Sequence, residues 1–205
     1  MAYKTLTKAI MIAGLALGVS AAASAADAKL MMGASTSMLA NNCQGCHGTD
    51  GASVGPASPT IAGLSRDYFI EVMEGFASGE VKATIMDRIA KGYTQEEIAQ
   101  LADHYAGLPF VKAVQTFDSA QVKEGEKLHD KYCEKCHADG GTSAEDDAGV
   151  LAGQWTPWVK WSIDDFRAGH REMPKKMKKQ MEKMLSKEGT ASIDALLNYY
   201  ASQQK

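Results

Sequence analysis

Two five-residue runs carry the reactive side chains, Cys43-Gln44-Gly45-Cys46-His47 and Cys133-Glu134-Lys135-Cys136-His137. In each, two thiols stand about one helical turn apart and an imidazole directly follows the second. This is the attachment signature of c-type haem: each thiol forms a thioether with a vinyl group while the imidazole ligates the iron. The two runs use all four cysteines of the chain. The expectation is therefore two covalently bound haem c groups, on Cys43 and Cys46 and on Cys133 and Cys136, with His47 and His137 as axial ligands. Paired thiols also suit a structural zinc or redox disulfides. Zinc leaves the histidine after both pairs unexplained, and a thioredoxin-like site calls for a βαβ pattern that the sequence lacks.

The second axial ligand decides the chemistry. A tightly held sixth ligand makes an electron carrier, whereas an open position invites oxygen, peroxide or small-ligand chemistry, and methionine sulfur raises the potential relative to a second histidine. Met86 lies 39 residues beyond His47, and Met177 lies 40 beyond His137. Met173, 36 residues beyond His137 and followed by Pro174, is the alternative in the second half. Met73, Met181 and Met184 fit helix stripes and read as core filler. His104, His129 and His170 fall at no repeated position and read as surface or structural. A proximal imidazole usually donates its second N–H to a carbonyl or carboxylate. Gly55-Pro56 is placed to offer one in the first half, while the second half has no proline before Pro157.

Helices must position these groups. A short helix leads through Met38 and Leu39 into the first run, and a glycine- and proline-rich loop follows it. Tyr68, Phe69, Val72, Met73 and Phe76 recur at helical spacing from Arg66 towards Gly79. A loop then holds Ile85 and Met86. Thr94 with Glu97 forms a capping box ahead of a stripe of Ile98, Leu101, Ala102 and Tyr105. The pattern then restarts: Ile61-Ala62-Gly63 recurs as Leu151-Ala152-Gly153, Phe76 as Phe166 and Gly79 as Gly169, each 90 residues on, as Cys43 is from Cys133. Ile98, Leu101 and Tyr105 recur as Ile193, Leu196 and Tyr200, 95 residues on. An offset that drifts only through loop insertions is what domain duplication leaves behind. The expected fold is all-α, two tandem class I cytochrome c-like domains at residues 27–109 and 122–205 joined by a linker at 110–121.

Residues 1–26 read as a signal peptide: Lys4 and Lys8, an apolar run from Ala9 to Val19, then Ala23-Ser24-Ala25-Ala26. That run of eleven residues falls short of the roughly 20 that a membrane span needs. The expectation is a periplasmic protein without stable membrane insertion. Loss of Lys4 and Lys8 with no acid moves the formal charge from −3 to −5, which argues against nucleic acid as a partner. Trp155, Trp158 and Trp161 either pack as core against the second haem or supply docking surface. Lys175, Lys176, Lys178, Lys179 and Lys183 form either a solvated helix face or a positive patch that steers an acidic partner.

The longer runs carry a family resemblance. Asn41 to Gly48, Val54-Gly55-Pro56-Ala57-Ser58-Pro59, Glu71 to Phe76, Ile85-Met86 with Arg88 to Tyr93, Lys127 to His137, and Leu151 to Pro157 are the most telling. Through nearly all of the chain beyond the signal it resembles the dihaem cytochrome subunits of flavocytochrome c sulfide dehydrogenases. The similar dihaem carriers of the cytochrome c4 type are the runner-up. The resemblance implies a heterodimer whose FAD-binding subunit oxidises sulfide, with this subunit relaying electrons to a soluble c-type cytochrome. It implies no substrate chemistry here, and no phosphate loop or dinucleotide fingerprint is present, so flavin binding belongs to the other chain.

Overall fold

A computed structural model describes residues 33–144 and 148–204; the expected signal peptide lies outside the described residues. From Ser35 onward the chain forms one compact unit. It is helical, with no strand among the described residues.

The first half holds α1 (Thr36–His47), α2 (Arg66–Ser78), the single turn α3 (Met86–Ile89) and α4 (Gln95–Ala106). The second half holds α5 (Ser119–Tyr132), the short distorted α6 (Ala138–Gly141), α7 (Thr156–Ala168), α8 (Lys175–Glu188) and α9 (Ala191–Ser202). Local chemistry sets the ends. The Ser35 and Ser65 hydroxyls accept the Met38 and Tyr68 amides at the starts of α1 and α2, and the Thr94 and Glu97 side chains close the expected capping box on α4. Met86, expected in a loop, instead opens the one-turn helix α3, because Ile85 O accepts the amides of Arg88 and Ile89.

The duplication is visible in the backbone. α7 repeats α2 residue for residue at the 90-residue offset. Ile61 N donates to Gly51 O at 2.9 Å and Gly63 N to Tyr105 O at 2.8 Å; Leu151 N to Gly141 O and Gly153 N to Tyr200 O repeat them, both at 2.9 Å. Gly63 and Gly153 have φ of +73° and +81°, and a Cβ there would lie 2.6 Å from Phe110 N or 2.7 Å from Lys112 Cγ. Only glycine meets both demands.

Each half closes on the helix that ends it. Ile98, Leu101, Ala102 and Tyr105 of α4 are buried against Phe69 and Met73 of α2. Ile193, Leu196 and Tyr200 of α9 are buried with Leu128, Tyr132, Val159, Ile163, Met181 and Met184. The connecting segment is tied to both halves: Ala113 N donates to Gly153 O at 2.7 Å, and Thr60 Oγ1 to Val111 O at 3.4 Å.

Candidate haem sites

α1 runs through the whole first run, so Cys43 and Cys46 lie on adjacent turns of one helix. α5 stops at Tyr132, and the second run continues as tight turns in which Cys133 O accepts the amides of Cys136 and His137. Cys43 and Cys133 are half-buried, Cys46 and Cys136 exposed. Burial pushes the Cys43 thiol up and the Cys133 thiol up to about 11. A structural zinc would instead need its thiols gathered in a cage of four ligands. Among the described residues no three His, Cys, Asp or Glu side chains gather as such a cage would require.

The imidazoles repeat each other closely. His47 Nδ1 lies 2.8 Å from Pro59 O and His137 Nδ1 3.1 Å from Gly149 O, each acceptor twelve residues on. Burial lowers the basicity of both rings, against the opposing pull of the carbonyl. A neutral ring facing a carbonyl through Nδ1 must carry its proton there, which leaves the Nε2 lone pair free for a metal. Pro59 supplies the first acceptor, not Gly55-Pro56. The turn at Thr49–Gly51 brings Gly51 O against Ile61 N, and that return sets the Pro59 carbonyl beside His47 Nδ1. Its second-half counterpart is Gly149, which needs no proline.

These features fit a covalent haem at each run: paired thiols on one face, and a neutral imidazole with Nε2 unused. A further observation concerns the methionines. Asp87 Oδ1 and Gln180 Oε1 are buried without a hydrogen-bond partner, and each adjoins a methionine, Met86 and Met181. Met86, Met173 and Met177 are half-buried, and the latter two pack against the second-half core. Met181 lies in that core. Counted back from the last helix by the 95-residue offset, Met181 stands opposite Met86, a signal that counting forward from His137 overlooks. An open, largely charged cleft of about 930 Å³ runs between the end of α7 and α8 and reaches Glu80 and Lys82 of the first half; Phe166, Met173, Met181 and Leu185 are its apolar members, and it touches neither cysteine pair.

His129 is fully buried, as a structural histidine. Its Nδ1 lies 3.0 Å from Tyr200 Oη and its Nε2 2.7 Å from Glu134 Oε2, while Glu134 also accepts the amides of Asp139 and Gly140. The first half has Leu39 in its place, and there Tyr105 donates to Ala40 O. The tryptophans divide: Trp158 packs on the second-half core, Trp155 donates to Ser53 O across the halves at 3.1 Å, and Trp161 is exposed. No helix among the described residues is long and apolar enough to cross a membrane.

Comparisons with known proteins agree with this geometry. A family model described as cytochrome C oxidase, cbb3-type, subunit III matches residues 120–188. The cytochrome subunit of sulfide dehydrogenase from Chlorobaculum tepidum is 42% identical over 71 residues, which is 35% of this chain and just under two thirds, 64%, of that one. Cytochrome c-553 from Nitratidesulfovibrio vulgaris is 34% identical over 103 residues, 47% of this chain and 89% of that one. Reduced cytochrome c4 from Pseudomonas stutzeri shares the fold, with a TM-score of 0.68 at 22% identity, covering 83% of this chain and all of that one. With cytochrome c-553 34% identical over 89% of its length, and the thiol and imidazole pattern set twice, the chain belongs to the c-type cytochromes and carries two covalently bound haem c groups.

Proposed function

We propose that this protein is the electron-transfer subunit of a periplasmic sulfide-oxidising complex. It accepts electrons from an FAD-containing sulfide dehydrogenase subunit and relays them to a soluble c-type cytochrome. The observation that carries the reading is the pair of imidazoles, His47 buried and His137 half-buried, each fixed through Nδ1 with Nε2 left for iron. The similarity to the Chlorobaculum tepidum subunit supplies the choice of partner. When bound, each haem iron exchanges single electrons between its ferrous and ferric states.

The chain's own residues hold and insulate those centres. Cys43, Cys46 and His47 with Met86 serve the first haem, and Cys133, Cys136 and His137 with Met177 serve the second, Met173 being the alternative and Met181 the rival from the last-helix register. With two protein ligands on each iron, sulfide has no open position here, and its oxidation belongs to the flavin subunit. The exposed lysines at 175, 176, 178, 179 and 183 on α8 give this acidic chain one positive face for an acidic acceptor.

Native complex isolated from its host tests the partner. Flavin and haem absorption are expected to co-purify, and added sulfide is expected to reduce the haems. A dihaem protein that never co-purifies with flavin would instead support a free carrier of the cytochrome c4 kind, the second reading, favoured by a fold match that spans all of that chain.

The methionines are tested singly. M86A is expected to lower the first haem's potential and to admit carbon monoxide to reduced protein, since a thioether ligand raises the potential. Among M173A, M177A and M181A only one, M177A, is expected to do the same at the second haem. If none of the three does, the second iron takes no methionine from this region.

A further inference from the structure

The two halves meet at a buried amide. Gln154, 1% exposed, sits just before α7, and Thr60, fully buried, follows Pro59 in the first half. Gln154 Oε1 accepts the Thr60 amide at 2.8 Å and that of its own neighbour Trp155 at 3.2 Å, while Gln154 Nε2 donates to Thr60 O at 2.9 Å. Two amides meet the oxygen and a carbonyl meets the nitrogen, so the orientation of the side-chain amide is fixed.

The Thr60 N–H belongs to the same peptide group as the Pro59 carbonyl, and that carbonyl accepts His47 Nδ1–H at 2.8 Å. Three groups therefore line up across the junction: the Gln154 oxygen, the Pro59–Thr60 peptide and the His47 ring. Hydrogen bonds in series through a peptide polarise one another, because electron density drawn from the N–H side leaves the carbonyl oxygen more negative. A more negative acceptor pulls harder on Nδ1–H and makes the imidazole a stronger electron donor through Nε2. The device is one-sided. Leu64 holds the place 90 residues before Gln154 and has no amide to offer the Gly149–Val150 peptide that holds His137.

We propose that Gln154 is a positioning residue for the iron ligand of the opposite half. By polarising the peptide that holds His47, it keeps the reduction potential of the first haem below the value Pro59 alone would give. The second half thus biases the direction of electron flow between the two haems. The inference rests on His47 ligating the first iron, as read above.

The test is haem-resolved redox titration of the holoprotein by nuclear magnetic resonance, comparing parent, Q154L and W155F. Q154L removes the acceptor. W155F removes a different hydrogen bond across the same junction, from Trp155 Nε1 to Ser53 O, and so controls for general loosening. Q154L is expected to raise the first haem's potential by roughly threefold in the electron-exchange equilibrium between the haems, about 28 mV at 59 mV per tenfold, with the second haem and W155F unmoved. Equal shifts in both haems, an equal shift in W155F, or no shift at all would overturn it. Should Q154L fail to assemble, Q154E keeps an oxygen facing Thr60 and is expected to lower the first potential at a pH where it is ionised; a rise there overturns the proposal equally. The parent's hyperfine-shifted His47 ring protons separate the two levels. If they are absent, the ligand reading falls and the relay with it; if they are present and the potential does not respond, the relay alone falls.

Discussion

Replacing Cys133 and Cys136 together by alanine is expected to give an exported protein with one haem instead of two, a mass lower by one porphyrin and a Soret band about half as strong. Its second half should no longer melt cooperatively. A half of about 80 residues buries too small a fraction of its surface to be more than marginally stable by itself. The second-half core of Leu128, Tyr132, Val159, Ile163, Met184 and Tyr200 gains a large apolar partner when the porphyrin is bound. Without it, that core loses its apolar partner and the His137 Nε2 loses its metal. The first half keeps its own thiols, His47 and Pro59 and should retain its haem. The reciprocal variant at Cys43 and Cys46 is expected to reverse the pattern. Mass spectrometry gives the haem count, and calorimetry gives the number of transitions. Two haems retained, or a native-like second transition without the haem, would count against the assignment of these thiols.

Much of this site was legible because the chain states it twice. Comparing the halves at offsets of 90 and 95 residues finds α2 and α7 and the Tyr105–Tyr200 pair, since periodic apolar positions survive duplication when their packing partners do. What escaped lay in the backbone or in a second register. The acceptor for His47 is a carbonyl, which every residue possesses, so residue type could not separate Pro59 from Gly55-Pro56. The methionine opposite Met86 depends on whether one counts from the cysteines or from the last helix. A loop insertion between those landmarks gives Met177 by one count and Met181 by the other. His129 falls at no repeated position and reads as surface or structural; residue type does not separate the two, because the hydrophobic position held by Leu39 is filled here with a ring whose two nitrogens are both satisfied, by Tyr200 and by Glu134.

Gly125 left no such trace, and the second large effect is expected there. It lies in the middle of α5 where that helix crosses α9. A Cβ at this position would stand 2.1 Å from Ala195 O, 2.7 Å from Ala195 C and 2.6 Å from Tyr199 Cβ. Two terms oppose each other in Gly125→Ala. Alanine favours the helix by about 1 kcal/mol over glycine, but two of the three atoms in the way are backbone and none is the free end of a flexible side chain, so the helices must separate. Overpacking of this kind costs typically about 1–3 kcal/mol and occasionally more. Separation here also loosens Leu128 and Tyr132 from Leu196 and Tyr200, so the steric term lies at the upper end of its range and wins, and a net loss of about 2 kcal/mol is expected. Gly75→Ala in α2 is the matched control. Its Cβ would come within 3 Å of Val81 Cγ2 only, at 2.7 Å, a side-chain methyl that can turn aside, and the helix-propensity gain should bring the net change to within about 1 kcal/mol of zero. Denaturant titration of both holoproteins measures the difference. Equal stability for the two variants would show that α5 and α9 are not held as closely as their backbones indicate.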